Sequence, residues 1–561
     1  MEAYLAHHHI ALKDSGDSLK GRSVVSTKLI ERGATIITSQ PLGTVALPQT
    51  QNEYCNYCFK KQSSPPLQRC SRCKKVYFCD MACFKNAWLS YHQYVCVPQA
   101  KESTDAEDGM DLEMLERVAL NVARYRNRVK NPNEDSGAEE SVEATMEAFF
   151  SLMGHDTLQR RHTIDRNDAL ARQALEKPFI QTTGLTLNEL VHYLNVFTSN
   201  NFSINDVDMF AVGEGTYPIA SLFNHSCRPN AVVMFDGALS IIRAIENIHP
   251  GTEINLSYVD TAHSRSHRQK TLREKYFFDC RCERCVRGPR EYLSLIDTLL
   301  GQEENDWDRV QELIESQHNK DGLDKRGQIM QMIEQWDLLE MCRMYDRKSN
   351  GSPPDSSMPL DLRHYTHYFI QQFAPYLITW DRHELHQHQS SNSVKTSLVY
   401  FDDPIPAQAK PMVPPTYDEI MEKAIKKMLS YPTDNSTVVP YRLTTLSVCS
   451  RLFYDEMTEG RWRNAVKLGM YILIEYCLIY PPYHPMLAQH YLMLAKACWN
   501  SIIQSELIND NLRLDRVYER GVQRWIVSAK ETVAVAFGKQ SQLWRETLEL
   551  EWIFLREQNL K

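Results

Sequence analysis

The sequence has no run of about eighteen apolar residues, the minimum for a membrane-spanning helix. Its most apolar stretch, Tyr471 to Tyr480, is broken by Glu475 and closed by Pro481 and Pro482. Nor does the opening, Met1 to Ile10, carry the basic region and apolar core of a secretory signal. Positive charge is in deficit: 63 Lys and Arg stand against 71 Asp and Glu, a formal net charge of −8. No basic field spans such a chain, and a nucleic-acid role is confined to a local patch. These absences leave an intracellular, reducing setting, cytoplasmic and nuclear, as the expectation. The 43% of hydrophobic residues among 561 suffice for several cores and about three domains or more. A mild acidic balance suits a cationic protein substrate and equally an ordinary soluble enzyme.

Cysteine is plentiful but crowded. Of fifteen, seven lie within Cys55 to Cys96, one is Cys227, three lie within Cys280 to Cys285 and four occupy the rest. In a reducing compartment, thiols at two-residue spacing read as metal ligands rather than disulfides. The first group runs Cys55-x2-Cys58, Cys70-x2-Cys73, Cys79-x3-Cys83 and His92-x3-Cys96. Eight ligands close two zinc sites with no position open for water, which is the structural and not the catalytic arrangement. Spacing alone fits consecutive or interleaved pairing. The segment is too small to fold without metal, so binding and folding are expected to be coupled. The second group, Cys280-x-Cys282-x2-Cys285, needs a remote fourth ligand; Cys227 is the one cysteine of the preceding β-rich region. Twelve ligands imply three structural zinc ions.

Local patterns predict the organisation. Ser23 to Thr27 and Ala34 to Thr38 read as strands joined through a turn at Glu31-Arg32-Gly33. Glu102 to Glu116 and Asn131 to Glu140 read as solvated acidic linkers. Thr186 with Glu189 forms a capping box opening a helix whose stripe is Leu187, Leu190, Val191, Leu194 and Phe197, expected to pack under the following sheet. Ala231 to Phe235, the turn Asp236-Gly237 and Leu239 to Ala244 read as a type I′ hairpin, and Glu253 to Tyr258 as a strand. Beyond Glu291 helical periodicity dominates. Helices are expected over Arg461 to Tyr480 and Pro485 to Ile503, and proline-rich stretches at Asn350 to Pro359 and Asp403 to Pro415 mark a surface insertion. The histidines His7 to His9 read as a plain amino-terminal extension.

The residues Asn224-His225-Ser226-Cys227-Arg228-Pro229-Asn230, followed by Gly251-Thr252-Glu253 and Ser257-Tyr258, resemble the signature of SET-domain lysine methyltransferases. With Lys20-Gly21-Arg22 in front, the cysteine cluster inserted and the thiol triplet behind, the order over roughly the first 288 residues resembles the SET and MYND domain-containing family. The resemblance implies an α+β chain: a SET β-fold interrupted by a MYND zinc finger, a post-SET zinc site and a helical, tetratricopeptide-like carboxy-terminal domain. The implied boundaries are 1–50 and 200–262 for the SET parts, 51–98 for the finger and 99–199 for a helical insertion. The post-SET site then covers 263–288 and the helical domain 289–561, with a disordered insertion at about 346–415. The family's interleaved pairing would assign Cys55, Cys58, Cys79 and Cys83 to one ion, and Cys70, Cys73, His92 and Cys96 to the other. The eight residues between Cys83 and His92 are one more than this finger usually has, so a bulged helix is expected there.

By resemblance, S-adenosylmethionine is the cofactor. Asn224 and His225 would hold its adenosyl group, and Lys20, Gly21 and Arg22 would approach its methionine end, where a glycine lets the backbone come close. The family continues with a second glycine; here the residue is Ser23. Asn200, Ser221, Tyr276 and Phe278 match further cofactor-contacting positions. His155 either covers the cofactor or is a surface histidine. Tyr258 would be the catalytic residue, orienting the lysine amine in a dry aromatic channel. The implied partner is a histone or non-histone protein offering a lysine to a monomeric enzyme. An alternative reading makes the chain an adaptor, its finger binding proline-rich peptides and its helical domain docking chaperones. The basic residues Arg69, Arg72, Lys74, Lys75 and Lys85 read as a solvated finger surface rather than a nucleic-acid patch.

Overall fold

A computed structural model describes residues 1–16, 21–62, 64–97, 106–130, 140–286, 288, 290–300, 322–338, 357–358, 360–378, 416–432, 438–507 and 512–560. They divide into a first unit, Met1–Tyr258 with Thr271–Asp279, and a second, Val259–Lys270 with Cys280–Lys561.

The first unit is built from short strands paired across long sequence separations. Strands β1 (Ile10–Asp14) and β2 (Arg22–Ser26) are antiparallel, while β3 (Thr35–Ser39) forms an edge beside the β10–β11 hairpin (Ala231–Asp236, Leu239–Ala244). The turn expected between the first two predicted strands is present, Ala34 N donating to Glu31 O at 3.0 Å, and the strands it joins, β2 and β3, lie in different sheets. Ahead of them, helix α1 (Glu2–His7) and β1 replace the expected amino-terminal extension, with Leu5 and Ile10 fully buried. A third sheet has the order β4-β8-β7 (Gly43–Ala46, Ala211–Thr216, Asn201–Asn205), and β9 (Asn224–His225) runs parallel to β12 (Asn255–Leu256). The hairpin turn also differs from expectation. Asp236 pairs with Leu239, so Gly237 and Ala238 are the loop residues, and only Gly237 has positive φ, +62°. One positive φ at the first central position fits type II′ and excludes type I′.

Helices α4 (Ala106–Lys130), α5 (Glu140–Phe150), α6 (Arg161–Leu175), α7 (Pro178–Gln181) and α8 (Leu187–Asn200) interrupt the strands. The α8 capping box is formed in both directions between Thr186 and Glu189. Its stripe packs against Leu115, Val118 and Val122 of α4 and Leu170 of α6, together with Val45 of β4, so helices cover it more than the following sheet does. The expected acidic linker is in large part helix α4: Leu112 and Leu115 are buried, and its charges are paired, Glu116 with Lys177 and Arg117 with Glu113. Of the second expected linker, 131–139 lie outside the described residues and Glu140 opens α5.

The second unit is helical in its described residues: Tyr292–Leu300, Lys325–Gln335, Leu362–Ile378, Tyr417–Leu429, Leu443–Thr458, Trp462–Ile479, Pro485–Leu507, Leu512–Ala536 and Gln542–Leu560. The helices expected on either side of Pro481-Pro482 are present. Leu487, Tyr491, Leu494, Cys498 and Ile502 of the second are all buried. Helix Leu362–Ile378 falls inside the expected insertion, yet Tyr365, Phe369 and Ile370 are fully buried. The two proline-rich stretches lie outside the described residues, apart from Ser357 and Met358. No described helix is long and apolar enough to cross a membrane.

Candidate active site and metal centres

The ligand groups within residues 55–96 are interleaved: Cys55, Cys58, Cys79 and Cys83 converge, as do Cys70, Cys73, His92 and Cys96. A tetrahedral zinc with bonds of about 2.3 Å to sulfur places its ligand sulfurs about 3.8 Å apart. The Sγ atoms of Cys58 and Cys79 are 3.6 Å apart and those of Cys70 and Cys96 3.8 Å, while His92 Nε2 lies 3.4 Å from Cys70 Sγ and 3.8 Å from Cys73 Sγ. The donors therefore fit two structural ions.

Local structure explains the convergence. A two-stranded ribbon, β5 (Gln68–Arg69) with β6 (Tyr77–Phe78), carries the Cys70 knuckle at its turn, and α2 (Met81–Ala87), capped by Asp80, presents Cys83. Trp88–His92 then forms a π-helical turn, the bulge that the extra residue required. From α4, Arg124 donates to the carbonyls of Leu89 and Ser90, supplying acceptors within the turn with a partner. The first knuckle is anchored in the sheets. Cys58 O accepts from Ala238 N at 2.9 Å, and a Cβ on Gly237 would lie 2.1 Å from that oxygen. Phe59, in the left-handed region at φ +59°, is 3% exposed and shares a core with Val24, Val212, Tyr217 and Phe223.

The methyltransferase-like motif residues meet within the first unit. The Asn224 amide donates to Arg22 O at 2.7 Å and to Glu253 Oε1 at 2.9 Å. His225 Nδ1 accepts from Tyr258 N at 2.9 Å, which leaves the ring proton on Nε2, 3.2 Å from Cys227 Sγ. Both side chains are thus directed into the protein, leaving backbone groups for any adenosyl moiety. Tyr258 OH donates to Phe223 O at 2.6 Å, and Tyr276 OH to Tyr258 O at 3.3 Å. The rings of Tyr258 and Tyr276 are 4.8 Å apart; Phe278 stands edge-on to Tyr258 at 6.5 Å and 6.1 Å from His225. Burial pushes the Tyr258 phenol well above its ordinary range and Tyr276 up to about 12. Both are neutral phenols at physiological pH.

Around this centre, Ser221 Oγ donates to Asn200 O at 3.2 Å, and the Asn200 amide to Val196 O at 2.9 Å and Met153 O at 3.3 Å. Arg22 reaches Ser151 Oγ at 2.7 Å. Gly21 has φ +65° and, among the described residues, no atom within 4 Å of a Cβ position, so its conformation requires glycine. Lys20 lies outside the described residues. His155, φ +51°, packs its ring 4.9 Å from that of Phe277, φ +61°. Sequence reasoning missed Phe277, Ser151 and the side-chain role of Glu253. The tripeptide Gly251-Thr252-Glu253 was the one available signal among them.

Cys280, Cys282 and Cys285 belong to the second unit and Cys227 to the first. Gln269 grips Cys280 from both sides, Nε2 to its carbonyl at 2.7 Å and Oε1 from its N–H at 2.9 Å. The fully buried Asp297 takes Arg268 bidentately at 2.7 and 2.9 Å and Arg284 at 3.3 Å. Two guanidiniums against one carboxylate leave a positive excess, and Arg268 also lies 3.8 Å from Cys285 Sγ. That favours the thiolate form a metal requires.

The SET domain model matches residues 21–259. Those residues are similar to a SET domain. Histone-lysine N-methyltransferase ASHR1 of Arabidopsis thaliana is 31% identical over 270 residues, 47% of this chain and 53% of that protein. N-lysine methyltransferase SMYD2 of Homo sapiens is 26% identical over 268 residues, 48% of this chain and 58% of that protein. Histone-lysine N-methyltransferase Smyd1 of Mus musculus is 27% identical over 343 residues, 58% and 65% respectively. The chain spans 53% to 65% of the length of these relatives. A solved SET domain described as LSMT bound to lysine and AdoHcy covers 91% of this chain and is covered over 89% of its own, with a TM-score of 0.28 and 10% identity. At that score the likeness carries no structural weight.

Proposed function

We propose that the chain is a protein-lysine N-methyltransferase that uses S-adenosylmethionine. One observation carries the reading: Gly21–Arg22, Asn224–His225 and Tyr258, far apart in sequence, are tied together by the bonds Asn224 to Arg22 O and Tyr258 N to His225. The relatives named as lysine methyltransferases support it. S-adenosylmethionine would supply an activated methyl whose leaving group is a neutral thioether. What remains for the protein is binding, alignment and exclusion of water. Gly21, Arg22, Asn200, Ser221 and the backbone of Asn224 and His225 would hold the cofactor, with His155 over it and Lys20 completing the set. Tyr276 and Phe278 would wall the lysine channel, where desolvation favours the neutral amine. Tyr258, a neutral phenol whose proton is committed to Phe223 O, keeps its lone pairs to orient that amine. It is no base.

The finer architecture belongs to the same proposal. Residues 55–96 are read as a MYND finger on two zinc ions. The thiol triplet of Cys280, Cys282 and Cys285 is read as belonging to a third zinc site. The paired helices after Leu443 are read as tetratricopeptide-like. Transfer of tritium from S-adenosylmethionine to protein in cell lysate, with the wild type beside Tyr258→Phe, tests the activity; about a tenfold or greater loss is expected in the variant. No transfer by the wild type would sink the reading, and fewer than three zinc ions per chain would break the ligand assignment.

A further inference from the structure

We propose that Glu253 is a positioning residue of the methyl-transfer site, acting through the Asn224 side chain on the Arg22 carbonyl. The inference rests on the methyltransferase reading and goes beyond it. A primary amide has two N–H donors. Both of Asn224's are committed, at 2.7 Å to Arg22 O and 2.9 Å to Glu253 Oε1. Since both neighbours are acceptors, the amide orientation is fixed. The Glu253 backbone is held independently: it bridges to Val25, and its carbonyl accepts from Asn230 Nδ2 at 2.9 Å, whose Oδ1 accepts from Asn255 N at 2.9 Å. The carboxylate can therefore be altered while the strand path persists.

The segment that Asn224 grips turns at Gly21 and enters the ladder with β1 at Arg22, opposite Asp14. Gly21 turns in the left-handed region with open space around its Cβ position. Its carbonyl is fastened by the N–H and hydroxyl of Ser15 at 2.8 and 2.6 Å. The next carbonyl, that of Arg22, is aimed by Asn224. Three hydrogen bonds, rather than packing against a Gly21 side chain, thus direct two successive peptides at the motif that would meet the methionine end of the cofactor. Removing the Glu253 acceptor frees the amide to rotate and releases the second of these peptides. An acceptor that is a carboxylate makes this a charge-assisted bond, stronger than a neutral one.

The test uses the full zinc-loaded chain as wild type, Glu253→Ala and Glu253→Gln. Calorimetry gives S-adenosylhomocysteine affinity, initial rates separate kcat from the KM for S-adenosylmethionine, and a melt reports folding. Glu253→Ala is expected to weaken S-adenosylhomocysteine roughly tenfold to hundredfold, the effect of losing a hydrogen bond to a charged group. Its KM should rise by a similar factor and its melting temperature should stay close to wild type. Glu253→Gln, which still presents Oε1 to Asn224, should recover affinity to within about threefold. Wild-type affinity in Glu253→Ala, or a Gln variant as impaired as the Ala variant, overturns the proposal. Failure of the wild type itself to bind S-adenosylhomocysteine would instead overturn the methyltransferase reading.

Discussion

Replacing Gly213 by alanine should detach the first zinc knuckle from the SET core. Gly213 lies in β8 with an ordinary strand conformation, so alanine meets no backbone penalty there and the effect is steric. The added methyl would sit 2.3 Å from Phe59 Cε1 and 2.7 Å from the Val45 carbonyl. Val45 belongs to β4, paired with Glu214, and cannot retreat without breaking the ladder. The ring has to move. Overpacking a tight core costs about 1–3 kcal/mol, and expelling a buried Phe loses a further 1.5–3 kcal/mol or so. The expected destabilisation is therefore about 2.5–6 kcal/mol. Because Phe59 stands between Cys58 and Lys60, the variant should also retain about one zinc fewer per chain. Phe59→Ala alone should cost about 3–5 kcal/mol but vacate the space the methyl needs. The double variant is then little worse than Phe59→Ala, with a coupling energy of about 1.5 kcal/mol or more in the cycle. Urea unfolding of the four proteins, with zinc counted by emission spectrometry, measures both quantities. Additive losses, or a Gly213→Ala protein with full zinc and a loss under about 0.5 kcal/mol, would refute the reasoning.

Other outcomes follow from buried ionisable groups. In the second unit, burial pushes the Glu475 carboxyl, which accepts from Tyr365 OH, up to about 8. The folded state then keeps a proton that the unfolded chain releases near pH 4.3 or so. Stability should fall as pH rises from there towards 8 and level off above it; Glu475→Gln should flatten that slope and melt higher than wild type at pH 8.5, and an unchanged slope would refute it. Asp297→Asn removes the buried carboxylate that Arg268 and Arg284 share and should cost about 3–5 kcal/mol, seen as early proteolysis of the second unit; a wild-type digestion rate would count against it. With Tyr258 held neutral by burial, methyl transfer should climb with pH as the substrate amine deprotonates, with no falling limb up to about pH 10. A falling limb below that pH, absent from Tyr258→Phe, would show that the phenol ionises.

What the sequence disclosed followed the range of the forces involved. The α8 capping box, the helices flanking Pro481-Pro482 and the ligand spacings are local, each settled within a few residues, and each is where it was expected. The bulge before His92 was legible because one surplus residue between two ligands must be absorbed somewhere. Strand partnership was not legible. Nothing near Thr35 announces that β3 pairs with β11, Ser39 opposite Ser240, and the turn residues Glu31 to Gly33 mark only where the chain turns. Helix α4 was hidden by its charge. Leu112, Leu115, Ala119 and Val122 mark its buried face, but Glu116 and Arg117 read as solvent-facing until their partners Lys177 and Glu113 are known. At the site, the motif residues were found by type. The inward turn of Asn224 and His225 needed geometry, because a motif does not say which of its hydrogen bonds are already taken.

The pairing of β4 with β8, Gly43 opposite Thr216, has a consequence for synthesis. A nascent chain that has released β1 to β4 must wait about 170 residues, on the order of ten to thirty seconds at ribosomal speeds, before the partner strand emerges. Meanwhile those edges are exposed to misassociation. Helices α4 to α8, largely gathered around a core of their own, can collapse during that interval and bring the waiting strand ends together, shortening the loop to be closed. Translation slowed after residue 200 should therefore be tolerated, whereas a lesion in α4 should trap the amino-terminal strands as aggregate before the later ones are made.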